Sequence, residues 1–392
     1  MSDGGDPLES TDARHVTAVH RRNPFAVALT LAVAVLVSGS TLAWLACRAS
    51  AEDAKRRTVT HLRSELAFRK ERVLTHLEYV GRDLGIIASS RLSAVIVGEF
   101  TDAIAADGEN VYARVRRAYV WDNPNPAGNR QALLSAQDGS TYSEVHARYH
   151  DWFLEIARTA DHYDIFLTDA VGRVIYSAFK EDDFGTDLVA GAYRDTELAR
   201  TFERLRSDPW PGRSVFSDFL TYSPSGNLPA AFVGSPILHD GAFAGALIVQ
   251  LRQQRFDELL GGGQGDGGDV RSYLVGEDGM LRAGTDVPAA DVLETAFDTP
   301  AATAALGNRS GTLEGPGFGG EEVLSAYAPL RWSGVTWGIV AEIGREDIER
   351  SVTDLRRTLA LALALCTGLA FVAGWLLADR AEDGEVRARD AL

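Results

Sequence analysis

Two stretches of the chain carry no charge and no polar period. Pro24 to Ala46 reads FAVALTLAVAVLVSGSTLAWLA after the proline, and Leu359 to Ala378 reads LALALALCTGLAFVAGWLLA. Each has the roughly 20 apolar residues that cross about 30 Å of hydrocarbon. The first is longer than the core of a cleaved secretory signal and follows a long N-terminal lead, which predicts an uncleaved anchor. The second lacks the polar stripe of a helix packed in a soluble core. From Ala51 to about Ile96 the pattern changes: Val59, Leu66, Val73, Val80 and Ile87 recur every seven residues, with Leu62, Leu77 and Leu84 between them. That spacing predicts a long helix with one apolar seam, either paired with a second copy or packed on its own domain.

Beyond it, Tyr142 to Ala160 predicts a second helix, and the period then shortens. Residues 164–177 read as strand, turn and strand, with the turn at Asp169 to Gly172; Leu228 to Leu251 reads as a longer hairpin turning at His239-Asp240-Gly241. The same order returns in Arg271 to Arg282 and in Val323 to Ile343, the latter turning at Trp332-Ser333-Gly334. This is an internal duplication of one sheet-based module, larger first and smaller second. The glycine-rich run from Gly261 to Gly268 lies between the copies as a linker. Its extension to Asp269 has the look of a calcium-binding repeat, but such sites need stacked copies and there is one. A final helix from Arg345 leads into the second apolar span.

The chain's formal charge of -16 disfavours a nucleic-acid surface, so no nucleic-acid partner is expected. Its two cysteines, Cys47 and Cys366, lie at or inside the apolar spans, so none staples the middle of the chain. Arg21 and Arg22 precede the first span, and Lys55, Arg56 and Arg57 follow it. Arg356 and Arg357 precede the second, and Arg380, Arg387 and Arg389 follow, so charge alone does not orient the spans.

The motifs Tyr163-Asp164-Ile-Phe-Leu-Thr-Asp169, Val174 to Glu181, Asp183 to Leu188, Gly191-Ala-Tyr193, Asp218-Phe219, Tyr222 to Ser225 and Pro229 to Phe232 resemble the double-Cache sensor domains of bacterial receptors. Tyr273 to Gly279 and Leu324 to Leu330 resemble that family's second module. The resemblance covers roughly residues 48 to 352. It implies an α/β (α+β) fold: two transmembrane helices flanking a long N-terminal helix and two tandem PAS-like antiparallel sheets. The expected organisation is a cytoplasmic tail 1–23, a span 24–46, an extracytoplasmic sensor domain 47–356, a span 359–378 and a short cytoplasmic tail 379–392. Within the sensor domain the long helix covers about 50–100, the membrane-distal module about 140–258 and the proximal module about 270–350.

In that family the distal module binds small molecules, so the resemblance implies a membrane receptor without enzymatic activity. Both termini would be cytoplasmic and the sensor domain would face outward from the inner membrane. The expected partners are a small-molecule ligand, membrane lipid, a second copy through the helix at about 55–90, and a separate cytoplasmic or membrane signalling protein. The last follows from the end of the sequence, where only ADRAEDGEVRARDAL remains after Leu377, without the linker or output domain usual in the family. The arginine, tryptophan and tyrosine signature of amino-acid sensing is not seen. A structural scaffold of the cell envelope is the alternative role.

Candidate chemistry concentrates in the first module. Lys180, Glu181, Asp182 and Asp183 directly follow a predicted strand, and Tyr193, Asp218 and Tyr222 follow on later loops. With Tyr163, Asp164 and Tyr176 from the motifs, these residue types supply the aromatic walls and few charged groups of a small polar pocket; the alternative is a solvated charge run. The candidate ligand residues are therefore Tyr163, Asp164, Tyr176, Lys180, Asp183, Tyr193, Asp218 and Tyr222. His146 and His150 share a helix face, but no further ligand lies at a zinc-enzyme spacing, and the pair is read as a wetted face. No cofactor, metal or catalytic group is expected, since the sequence has no nucleophile elbow, Walker loop or recognisable catalytic carboxylate pair.

Overall fold

The computed structural model describes residues 23–108, 110–261, 270–285 and 287–390. Residues 262–269, which carry the linker and calcium-repeat readings, lie outside the described residues, as do residues 1–22 and the last two of the tail. The chain divides into two compact units, one of Arg56–Ile348 and one containing the segments before and after it.

In the larger unit, helix α1 (Pro24–Ala88) contributes its C-terminal part. The seven-residue seam is spent inside the unit: Leu62, Leu66, Val73, Leu77, Val80 and Leu84 are buried in its core. The second-copy reading of that seam is thereby corrected, because side chains already enclosed by their own domain cannot meet a partner. The opposite face instead exposes Phe68, Tyr79 and Ile86. Arg69, itself buried, donates to the Val270 carbonyl at 3.1 Å and the Ser272 hydroxyl, and Arg72 donates to the Gly261 and Glu258 carbonyls.

Helix α2 (Arg91–Ala106) starts at Ser90, whose hydroxyl accepts from the Ser93 amide, and a short α3 (Val111–Arg116) follows. Helix α4 (Thr141–Thr159) is capped by Ser140 in the same way and has Glu144 in its first turn, where a negative charge suits the helix dipole. It packs on α2 and on strand β1 (His162–Asp169). The turn to β2 (Val174–Ser177) is fixed by Asp169, whose Oδ1 accepts from the amides of Val171, Gly172 and Arg173. Helix α5 (Glu197–Ser207), the short β3 (Val215–Phe216) and β4 (Leu220–Tyr222) precede a long hairpin, β5 (Leu228–His239) and β6 (Ala242–Leu251). Its turn has positive φ at both Asp240 and Gly241, the geometry a tight hairpin with native twist requires.

Helix α6 (Gln253–Leu260) leads to the second module: β7 (Arg271–Gly276), β8 (Leu281–Gly284), α7 (Pro300–Leu306), β9 (Gly311–Pro316), β10 (Glu322–Trp332) and β11 (Val335–Gly344). Ser333 and Gly334 take positive φ at its long turn, as Asp240 and Gly241 do in the first module. Both sheets have the same order, β2-β1-β6-β5-β3 and β8-β7-β11-β10-β9, with every pairing antiparallel and β4 attached to β5. Sequence duplication has thus become structural duplication. One face of the second sheet (Leu274, Ala283, Leu324, Ala326, Trp337, Ile339) joins the main core; its other face holds a separate small core around Tyr273, Phe297 and Val340.

The smaller unit pairs the first part of α1 with α8 (Arg345–Asp390). Phe25 meets Phe371 edge-on at 6.1 Å, and Gly374 lets the helices approach closely, since a Cβ there would stand 2.8 Å from the Ala28 Cα. Both helices contain a window long and apolar enough to cross a membrane, with mean hydropathies of 2.1 and 2.2. Val37, Leu42, Leu361 and Leu365 point outward without cover.

Candidate ligand site

The site begins with one carboxylate. Asp164 on β1 is fully buried and accepts from the Ser177 hydroxyl at 2.8 Å, the Ala178 amide at 2.9 Å, the Phe179 amide at 3.1 Å and its neighbour Ile165. It thereby shapes the chain leaving β2. There Lys180 sits at φ +58°, a left-handed conformation costly for a residue with a Cβ, and is held by its amide on the Ser177 hydroxyl. Its ammonium curls back to the carbonyls of Ser177 (2.9 Å) and Ala178 (3.1 Å), and lies 5.1 Å from the Tyr176 ring centroid and 5.8 Å from that of Tyr119.

Two more acids complete this layer. Glu181 accepts from the Tyr163 hydroxyl (2.8 Å) and from Ser225 (2.6 Å), while Asp183 Oδ2 accepts from the Tyr222 hydroxyl at 2.5 Å. Asp183 Oδ1 is buried without a hydrogen-bond partner.

Above them lie α4 and the loop before it. Tyr119 sits in a single π-helical turn, Arg117–Trp121, that ends the run from α3. Its ring centroid is 4.5 Å from that of His146, which is 4.4 Å from that of His150. His146 Nδ1 faces the Leu134 carbonyl at 2.8 Å. A carbonyl only accepts, so the proton belongs on Nδ1 and Nε2 is an acceptor; Nε2 is buried without a partner. His150 donates from Nε2 to the Gln131 carbonyl and accepts at Nδ1 from the Tyr176 hydroxyl, both at 2.7 Å. Reading this histidine pair as a wetted face is corrected here: both rings are buried in the aromatic layer.

Burial dominates the electrostatics. It brings the Lys180 ammonium down to about 7 against the opposing pull of Asp164, and raises Asp164 to about 7 with help from Glu181. Asp183 is pushed well above the usual carboxylate range, first by burial and then by Asp164. His146 is held well below the ordinary imidazole value and His150 falls to about 3, burial first and Lys180 second. Asp164 and Lys180 are thus both brought to the neutral range from opposite sides. A small molecule with hydrogen-bonding groups would supply what Asp183 Oδ1 and His146 Nε2 lack, each unmatched buried group costing about 1–3 kcal/mol.

Of the eight predicted residues, the structure gathers Tyr163, Asp164, Tyr176, Lys180, Asp183 and Tyr222 into one network. Tyr193 is half-buried at its margin, its hydroxyl pushed up by burial and then by the Asp182 and Asp183 charges. Asp218 belongs elsewhere, and its placement in this pocket is corrected. It receives the Arg282 guanidinium at 3.0 and 2.8 Å and the Trp337 indole N–H at 2.6 Å, both from the second module. Sequence reasoning did not place Tyr119, His146 or His150 in the site; the four-residue histidine spacing was the available signal. Among the described residues, no three His, Cys, Asp or Glu side chains converge to hold a metal.

Two tandem antiparallel sheets on a long helix are the arrangement that the motif resemblance implies. No family model matches the chain. A probable chemoreceptor, y4sI, of Sinorhizobium fredii is 22% identical over 256 residues, which are 64% of this chain and 32% of that protein. The chain thus spans about a third of that relative's length. Similar solved structures include the ligand-binding domain of Campylobacter jejuni chemoreceptor Tlp3 in complex with L-norvaline. It is 12% identical with a TM-score of 0.42, and the match covers 76% of this chain and 94% of that one. Another is the ligand-binding domain of Pseudomonas fluorescens chemoreceptor CtaA in complex with L-alanine. It is 15% identical with a TM-score of 0.34, covering 64% and 93%.

Proposed function

We propose that this chain is a membrane-anchored receptor whose first module binds a small polar molecule outside the cytoplasm. The observation that carries this reading is the enclosed layer of Asp164, Lys180, Asp183 and His146, with polar atoms on Asp183 and His146 that the protein itself does not satisfy. A purely structural core would gain stability by replacing such groups with apolar ones. The likeness to a probable chemoreceptor supports the same role.

The uncovered apolar side chains of α1 and α8 support two spans, and the resemblance adds that both termini are cytoplasmic and residues 47–356 the extracytoplasmic domain. Ligand binding biases the relative position of the two spans, and a separate signalling protein reads the result. A second copy meets the Phe68, Tyr79 and Ile86 face of α1, within the predicted 55–90 region. Tyr79→Cys, with Cys47 and Cys366 replaced by serine, is expected to cross-link between copies in membranes; exclusively monomeric product rules that face out.

The ligand test is thermal unfolding of the full chain in lipid nanodiscs against organic acids, amines, amino acids and nucleobases. A ligand specific for the folded state raises the midpoint, by about 2.7 kcal/mol of stability at a hundredfold excess over Kd. The hit is expected to vanish in Asp183→Asn and persist in Asp218→Asn. A folded chain that responds to no compound would defeat the small-molecule reading.

A further inference from the structure

The segment from Val215 to Ser225 forms the edge of the first sheet and touches both modules. Its strands are minimal: β3 pairs with β5 through two residues and β4 through three, one of them opposite Pro229, which has no N–H to give. Between them Ser217 exchanges bonds with Phe232, its amide donating to that carbonyl and its hydroxyl accepting from that amide, and side chains anchor the segment further. On one side, Tyr222 donates to Asp183 and Ser225 to Glu181, both in the ligand layer. On the other, Asp218 receives both the Arg282 guanidinium and the Trp337 indole.

The receiving end is built for one geometry. Arg282 is enclosed, divides its donors among Asp218, Asp278 and the Met280 carbonyl, and occupies the place a Cβ on Gly276 would need. Trp337 lies in an aromatic junction with Phe216, Phe219 and Phe256, whose centroids are 5.6, 6.1 and 5.8 Å away. Phe256 in turn meets His76 of α1 at 5.7 Å. Two of these aromatics, Phe216 and Phe219, flank Asp218 on the segment itself. Three residues separate Tyr222 from Asp218, which ends in a charge pair and lies beside an aromatic contact to the second module.

We infer that residues 215–225 form a coupling strap that transmits the state of the Asp183 end of the ligand layer to β8 and β11 of the second module through Asp218. This rests on reading that layer as the ligand site, but the strap itself is testable without a ligand. Hydrogen exchange would be measured on the full chain in nanodiscs for Tyr222→Phe, Asp218→Asn, their combination, and Tyr119→Phe. The last removes a hydroxyl from the opposite side of the same layer, where it donates to Ser143.

Tyr222→Phe is expected to speed exchange in peptides covering 276–284 and 335–340 by at least about threefold. The combination should add little to Asp218→Asn, as coupled positions do, and Tyr119→Phe should leave both peptides unchanged. Arg282→Lys replaces Asp218→Asn if that variant does not fold. Second-module exchange that ignores Tyr222→Phe, or that responds equally to Tyr119→Phe, overturns the strap. If Tyr222→Phe acts as expected while the compound screen finds nothing, the strap stands and the ligand reading fails. A compound hit combined with an inert Tyr222→Phe leaves the ligand site standing and removes the strap.

Discussion

The two modules have one strand order and matching hairpin turns, yet they enclose very different interiors. At equivalent points of the two sheets, Asp164 lies opposite Gln250 in the first, and Arg271 lies opposite Glu342 in the second. The first module then buries Lys180 and Asp183 around its acid, with Glu181 half-buried beside them. The second turns Arg271 to Glu321, gives Glu342 the amide of Phe318, and fills the neighbouring space with the rings of Tyr273, Phe297 and Phe318. Strand order follows from where the hairpins fall in sequence. The interiors part at the few residues after the second strand, where one copy carries the run Lys180 to Asp183 and the other has only the separated Asp286 and Asp291 and no lysine.

This contrast can be tested by removing its distinguishing groups. The largest expected effect is that of Asp164→Ala, which leaves the Ser177 hydroxyl and three amides without their shared acceptor; about 3–5 kcal/mol should be lost in denaturant unfolding. A loss below about 1 kcal/mol would mean that the first module is not organised around this acid.

Acid titration gives the next largest effect. Burial holds His162 down to about 4 in the folded chain, against 6.5 for an unhindered imidazole. The unfolded chain takes up this proton first, so stability is lost as pH falls from 6.5 to about 4 and is fully present above that window. His162→Gln should flatten the slope, removing about 3 kcal/mol of acid sensitivity. Asp164, raised to about 7, works the other way, adding stability as pH falls from about 7 toward 3.8. The second module offers no histidine to this balance, since all the histidines lie at or before His239.

Tyr222→Phe should cost about 1–2 kcal/mol, for it removes the hydrogen bond to Asp183 while leaving the ring packed on Phe232. Glu342→Gln is expected to be smallest, within about 0.5 kcal/mol either way, because it removes a buried charge and keeps an oxygen for the Phe318 amide. A Glu342→Gln penalty as large as that of Asp164→Ala would erase the distinction between the two interiors.

Much of the architecture is readable in the sequence. Apolar runs broken by Asp-Ala-Val-Gly, His-Asp-Gly, Glu-Asp-Gly and Trp-Ser-Gly locate both hairpin sets, because turn chemistry is local. The seam from Val59 to Ile87 is equally plain, but a periodic stripe says only that something covers it. Its cover is the chain's own sheets and helices. Asp218 escapes a sequence reading for a related reason: close to Tyr222 along the chain, it reads as sharing that residue's surroundings. The chain changes its register on β5 between β3 and β4, and the two side chains go to different modules. The buried histidines are legible as a pair but not as buried, since helix spacing does not say which face turns inward.

The arginines of α1 that hold the flanks of the intermodule connection have a practical consequence. Arg72 fixes the Gly261 carbonyl and Arg69 the Val270 carbonyl, so both ends of the intervening stretch are moored to the same helix. A fluorescent protein grafted between Gly261 and Val270 would start and finish at those moorings, turning rearrangement between the modules into an optical signal for imaging in living cells.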